Sequence, residues 1–181
     1  MKLYYARGAC SLAPHIVLRE LGLPFEAVAV DLLRKRTRAG ADFLAINPKG
    51  YVPALELDDG EILTEGPAIL QYLADLAPER ALAPPNGTRP RYRLQEWLGF
   101  INSELHKAFG PLFDRDAPAP IQEAARHRIA RRLEFVAGGL AGRDFLLGST
   151  FTVADAYLYT VLGWCALTGP TRRRTITGFA P

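Results

Sequence analysis

Along the first third of the chain the apolar residues fall into short blocks that switch between strand-like and helix-like spacing. Lys2 to Tyr5 is a brief apolar and aromatic run suited to a buried strand. Leu12, Ile16, Val17 and Leu21 recur at helical spacing, and Gly22 with Pro24 ends that helix. Phe25, Val28 and Val30 mark a second β-prone run. Residues 31–50 are polar and irregular, apart from a short helix over Asp42 to Ile46. Pro53 opens a strand-like stretch, Ala54 to Leu57. The turn Asp58-Asp59-Gly60 leads into a return strand, Glu61 to Leu63, so the pair reads as a hairpin. Gly66 as N-cap and Pro67 at the first helical position start another helix, with Ile69, Leu70 and Leu73 on one face. This order predicts a compact α/β domain with a mixed sheet.

The pattern then changes. Residues 78–90 hold four prolines and Asn86-Gly87 and read as an inter-domain linker. Beyond it no strand is evident. Leu94, Trp97, Leu98, Ile101, Leu105 and Phe109 make one helical stripe, and 110–120 is a Pro- and Asp-rich loop. Ile129, Leu133, Val136 and Leu140 form a second stripe, which Gly138-Gly139 and Gly142 end. Thr152 is a good N-cap for a last helix, with Asp155 where a capping-box acid belongs and Phe151 placed to pack on Ala156. After Cys165 the pattern fails; residues 172–181 carry only Ile176 and Phe179 as large apolar side chains, too little to bury, and are expected to be irregular. There is no internal repeat.

Composition narrows the class. Of 181 residues 49% are hydrophobic and 23% charged, enough for a core that needs no disulfide or metal staple. The net charge of +3 comes from Arg172, Arg173 and Arg174, without which acids and bases balance at 19 each. Basic character confined to the tail is no nucleic-acid footprint, which needs a basic face on the folded body. No apolar run is long enough to span a bilayer, and Arg7 interrupts the N-terminus before a secretory signal can form. Cys10 and Cys165 lie far apart, with no CxxC and no zinc-ligand spacing. A reducing compartment, the cytoplasm, is the expected location, and no metal is expected.

The candidate chemistry centres on Cys10, which follows Gly8-Ala9 at the start of the first helix. Helix N-termini present unpaired N–H groups and partial positive charge, and both favour a thiolate. Tyr5, ending the strand before, and Ser11, one residue on, are placed to offer hydroxyls to the same sulfur. A free cysteine is also commonly a small inert core residue, and position alone leaves both readings open. Cys165, inside Trp164-Cys165-Ala166-Leu167, reads as core. Val52-Pro53 reads as an ordinary trans proline at a strand start. At Glu65-Gly66 backbone N–H groups can meet a carboxylate and Glu65 an amine, which suits the α-amino acid end of a peptide; a solvated first-turn acid fits the same residues. Ser103, Glu104, His106 and Lys107 share the helix of the Trp97–Phe109 stripe, with His106 beside core position Leu105. His15 and His127 read as structural or exposed.

Taken together these stretches resemble the glutathione transferases, most closely the bacterial beta class. The matching text is Met1-Lys2-Leu3-Tyr4-Tyr5, Gly8-Ala9-Cys10-Ser11-Leu12 with Pro14-His15, Asn47 through Leu55, and Leu63-Thr64-Glu65-Gly66. The second half adds Glu104-Leu105-His106-Lys107 and Phe151 through Tyr157. The resemblance covers roughly the first 165 residues. It implies an α/β thioredoxin-like N-terminal domain over residues 1–80, a linker at 81–90, an all-α C-terminal domain over 91–166 and an atypical tail at 167–181.

It also implies that Pro53 is cis and that the Val52 backbone pairs with the cysteinyl backbone of glutathione like an added strand. Glu65 and Gly66 would hold the γ-glutamyl end, Lys35 would help hold the tripeptide, and His106 and Lys107 would line the cleft near the sulfur. Ser103 and Glu104 would also approach glutathione, and Gly99 replaces a contacting asparagine. Catalytic roles are implied for Cys10, Tyr5, Ser11 and His106. The implied activity is conjugation of the glutathione thiol to small hydrophobic electrophiles, with thiol–disulfide exchange through Cys10 as a second branch. The implied assembly is a homodimer, with no nucleic-acid or membrane partner. The C-terminus departs from the family pattern near Ala166 and reads as truncated or altered, which implies an incomplete electrophile pocket. A non-catalytic binding module, a glutaredoxin-like oxidoreductase and a poorly folding gene product remain as other readings.

Overall fold

A computed structural model describes residues 1–168. Five strands form one mixed sheet in the order β3-β2-β1-β4-β5. Strand β1 (Lys2–Tyr5) leads through α1 (Leu12–Leu21) to β2 (Glu26–Asp31), which returns parallel to β1, as a crossover helix requires. A two-residue strand, β3 (Arg36–Thr37), turns back on β2, and α2 (Phe43–Ile46) follows, capped by the Asp42 side chain on the Leu44 N–H. The hairpin of β4 (Ala54–Glu56) and β5 (Ile62–Thr64) pairs antiparallel, with β4 beside β1. Helix α3 (Gly66–Leu76) closes this half. Its N-cap is Glu65, one residue before the expected Gly66.

Alternation along β1 divides the interior. Leu3 enters a large core with Val17 and Leu18 of α1 and Ile69 and Leu70 of α3. Tyr4 faces the other side with Phe43, Val52 and Ala54.

The helical half contains α4 (Arg89–Phe100), α5 (Gly110–Phe113), α6 (Ala119–Leu140), α7 (Val153–Leu162) and α8 (Cys165–Thr168). The stripe read as one helix from Leu94 to Phe109 is not uniform. After α4 the backbone widens into a π-helical turn at Ile101–His106 and tightens into a 3-10 turn at Lys107–Phe109. Pro111 has no N–H to give the Lys107 carbonyl, and the Gly110 N–H takes it in its place. The expected loop at 110–120 is therefore shorter, since α5 occupies its start and α6 its last two residues. Gly138 and Gly139 do not end α6; the chain leaves it at Leu140 and turns at Gly142, whose φ is 69°. Of the tail expected to be irregular, Leu167 and Thr168 belong to α8, and residues 169–181 lie outside the described residues.

The halves share one core. Leu98, Ile101, Leu133, Val153 and Leu158 belong to the same cluster as Leu3 and Ile69. The Arg91 guanidinium forks onto both Asp75 oxygens at 2.8 Å, and the Val153 N–H bonds the Leu82 carbonyl at 3.0 Å.

Candidate functional site

A cleft of about 500 Å³ opens where the sheet half meets the helical half. Its sheet-side floor comes from three segments. The first is the loop that feeds α1. There the Ser11 side chain bonds both the N–H and the carbonyl of Ala6, folding the loop so that Cys10 looks into the cleft. The second is the approach to β4. The buried Asn47 side chain donates to the Tyr51 carbonyl at 2.8 Å and accepts from the Lys49 N–H at 3.2 Å, and the Val52–Pro53 bond is cis. The third is the corner between β5 and α3, where Glu65 sits at φ 69°. A side chain rarely adopts that conformation, and such residues cluster at sites where position matters.

Cys10 is half-buried, and its thiol donates to the Val52 carbonyl at 3.3 Å. Burial pushes its pKa up to about 11, against the lowering effect of its own and the Ser11 N–H and of Lys107. The expectation of a thiolate at a helix mouth is thus reversed by desolvation. The Glu65 carboxylate takes Lys49 Nζ at 2.8 Å and Tyr51 Oη at 2.7 Å on one oxygen, and these bonds hold its pKa below the usual value. In the first turn of α3, Pro67 has no N–H, while those of Ala68 and Ile69 bond the Glu65 carbonyl. Gly66 lines the cleft beside Glu65.

The helical wall is built by the π turn and α7. The wider turn presents Asn102 and His106 together, with Lys107 next in sequence. His106 Nδ1 lies 2.6 Å from Tyr157 Oη, which donates to Asn102 Oδ1 at 3.0 Å. Burial, helped by Lys107, drives the His106 pKa down to about 4, so the ring is neutral at ordinary pH. The Trp164 ring stands edge-on to His106 at 4.8 Å and to Phe113 at 5.3 Å, making an apolar end to the cleft. Its indole N–H donates to the Gly8 carbonyl at 2.9 Å across the two halves. No group of three metal-ligating side chains occurs among the described residues.

Two family models match the chain: the glutathione S-transferase N-terminal domain over residues 8–76 and the glutathione S-transferase C-terminal domain over 100–173. The chain is 52% identical to the glutathione S-transferase GstA of Escherichia coli O157:H7 over 91% of this chain and 82% of that one. It belongs to the glutathione S-transferase family. Among solved structures, a sphingomonad glutathione S-transferase complexed with glutathione superposes with a TM-score of 0.93 at 52% identity, covering 97% of this chain and 87% of that one. A beta-class enzyme of Sphingomonas chungbukensis also gives 0.93, at 49% identity, with the same coverage.

Within this glutathione S-transferase chain the expected residues divide into two sets. Cys10, Val52, Pro53, Glu65, Gly66, His106 and Lys107 meet in the cleft. Tyr5, Ser11, Lys35, Ser103 and Glu104 do not. Tyr5 lies on the α1 side of the sheet, its ring edge-on to His15 at 6.1 Å, because residue 5 shares the face of Leu3. The Ser11 hydroxyl is spent on Ala6. Lys35 Nζ donates to the Gly50 carbonyl at 2.7 Å, bracing the loop behind Tyr51. Ser103 Oγ donates back to the Gly99 carbonyl, and Glu104 is paired with Arg132 of α6 at 2.6 Å. The cleft also holds Asn102, Tyr157, Trp164 and Tyr51, with Lys49 paired to Glu65, and the sequence singles out none of these side chains. Tyr157 and Trp164 sit in an apolar stripe that hides their polar ends, and nothing in the periodicity marks them.

Proposed function

We propose that the protein binds glutathione in this cleft and conjugates its thiol to small hydrophobic electrophiles. The observation that carries the reading is the meeting of Cys10, the Val52 backbone, the Glu65–Gly66 corner and Lys107 in one groove with an apolar end. The Gly66 N–H suits the γ-glutamyl carboxylate. Glu65, ionised and with both of its bonds among the described residues on one oxygen, suits the ammonium. The Val52 carbonyl would take the cysteinyl N–H of the tripeptide and so release the Cys10 thiol it now binds.

With a pKa near 11, Cys10 stays protonated at neutral pH and serves as a hydrogen-bond donor to the glutathione thiolate, with the Lys107 ammonium adding positive charge. The thiolate attacks an electrophile held against Phe113 and Trp164. The C–S bond forms as the leaving group departs with its electron pair. The second branch starts from glutathione disulfide: a Cys10 thiolate attacks one sulfur, the S–S bond breaks, and glutathione thiolate leaves a mixed disulfide on Cys10. The raised pKa makes that branch slow near neutrality and faster in alkali.

A cytoplasmic location accords with two cysteines that lie far apart in the sequence and form no CxxC. A homodimer accords with large apolar side chains exposed on α3, α4 and α6, namely Leu76, Tyr92 and Phe135. Retention on immobilised glutathione, together with turnover of a chlorinated aromatic electrophile, tests the main reading; loss of both defeats it, and retention without turnover leaves a binding module. Cys10→Ala should form no glutathionyl adduct with glutathione disulfide by intact mass, and an adduct at full yield would remove Cys10 from the redox branch.

A further inference from the structure

Tyr157 is almost wholly buried on α7, yet its hydroxyl reaches the cleft between Asn102 and His106. A phenol has one proton to donate. That proton goes to Asn102 Oδ1 at 3.0 Å, so across the 2.6 Å contact the tyrosine oxygen is the acceptor and His106 Nδ1 the donor. A neutral imidazole has one N–H, so placing it on Nδ1 leaves a lone pair on Nε2. Nε2 has no hydrogen-bond partner among the described residues, and the ring lines the cleft. The Trp164 ring packs edge-on against it at 4.8 Å.

We propose that Tyr157, oriented by Asn102, is a positioning residue that fixes His106 as its Nδ1–H tautomer and presents the Nε2 lone pair to accept the proton of the glutathione thiol. The inference rests on the glutathione reading above. In the step, the S–H bond breaks, its electron pair stays on sulfur, and the proton joins Nε2; the imidazolium passes it to water as product leaves. The charged and titratable groups that share the cleft with the ring are Lys107 on its own segment, Arg7, Cys10 and Glu65 from the sheet half, and Tyr157 of α7. Burial and Lys107 resist protonation of His106 in the free protein. A thiolate forming beside the ring reverses that balance, because an adjacent anion favours imidazolium. Proton transfer is thereby tied to the presence of the ligand.

Nitrogen NMR of the full chain labelled with 15N-histidine reads the tautomer directly. The chain has three histidines, and His106→Gln assigns the signal. The free wild-type protein should show His106 protonated on Nδ1 at neutral pH. Tyr157→Phe keeps the packed ring and removes the hydroxyl; it should move the proton to Nε2 and lower kcat for conjugation roughly tenfold or more, with KM for glutathione nearly unchanged. Asn102→Ala retains the tyrosine but frees its proton for Nδ1, so it should produce the same change of tautomer. It also serves as the test if Tyr157→Phe does not fold. A wild-type ring protonated on Nε2, or a Tyr157→Phe ring still protonated on Nδ1, overturns the proposal. A wild-type protein that neither binds nor turns over glutathione defeats the functional reading instead, since the tautomer is measured without ligand.

Discussion

Two titrating side chains in the cleft are displaced in opposite directions, and both displacements come chiefly from burial. For Cys10 the charged form is the thiolate, so burial raises the pKa from 9.0 to about 11. In a Cys165→Ala background, the rate of Cys10 alkylation by iodoacetamide should climb with pH and reach half its plateau well above 9, near 11. A midpoint below 8 would mean that the helix mouth outweighs desolvation. For His106 the charged form is the imidazolium, so burial lowers the pKa from 6.5 to about 4. Between those values the unfolded chain binds more protons than the folded one, and stability therefore rises with pH across that window and falls on acidification. Urea midpoints should drop more between pH 7 and pH 5 for wild type than for His106→Gln. An equal drop in both would place the imidazole in water. Cys10 itself was legible from its position after Gly8-Ala9, whereas its protonation state was not, because a helix-mouth argument contains no measure of how deep the sulfur lies.

Helices α6 and α7 carry local instructions of different kinds. At the start of α7 the buried Asp155 carboxylate accepts from the Leu146 N–H at 2.8 Å, the Thr152 N–H at 2.9 Å and Thr152 Oγ1 at 2.8 Å. Asp155→Ala strands two buried backbone donors, one of them the N-cap N–H of the capping box, and should cost about 2–4 kcal/mol in urea unfolding. A loss under 0.5 kcal/mol would show the cap to be idle. In α6 two neighbouring glycines should respond with opposite sign. A Cβ on Gly138 meets nothing within 4 Å, so Gly138→Ala should stabilise by about 0.5–1 kcal/mol through helix propensity. A Cβ on Gly139 would lie 2.7 Å from the Trp97 ring, which is itself packed on Phe100 and Phe135. Gly139→Ala should therefore destabilise, by about 1–3 kcal/mol of overpacking set against the same propensity gain. These elements also show what a sequence conveys. The Thr152–Asp155 cap, α1 with its Gly22 stop and the β4–β5 hairpin were legible, because each is written in residues a few positions apart. The two-residue β3, the π turn and the continuation of α6 through Gly138 and Gly139 were not. Each depends on a distant partner: β2 for β3, Tyr157 of the facing cleft wall for the π turn, and Trp97 for Gly139. The same distinction runs through the site. Cys10, Val52-Pro53 and Glu65-Gly66 sit in local motifs, while the Asn102–Tyr157–His106 chain joins residues more than 50 positions apart.

At the scale of the whole molecule the question is whether the sheet half and the helical half unfold separately. Their interior argues that they do not. Leu3 and Ile69 from one half and Leu98, Val153 and Leu158 from the other form one continuous buried cluster, with α1 packed along α7. Cutting between the halves would expose apolar surface on both, which is the condition for a single cooperative transition. The polar ties run the same way, since Arg91 forks onto Asp75 and the Trp164 indole reaches the Gly8 carbonyl. Both tryptophans, Trp97 and Trp164, lie in the helical half, so their fluorescence reports that half, whereas far-UV dichroism includes the sheet and α1. Urea unfolding followed by the two signals should give superimposable curves. A sheet half that melts first would separate them and would show that the shared cluster contributes little across the junction. Trp164→Phe sharpens the test, because it keeps most of the ring and removes only the donor to Gly8. It should lower stability by about 0.5–1.5 kcal/mol without splitting the transition. It should also speed Cys10 alkylation at fixed pH, since the loop that carries the thiol loses its tether to the opposite wall. Unchanged alkylation with lowered stability would mean that the bond holds the halves together but does not hold Cys10 in place.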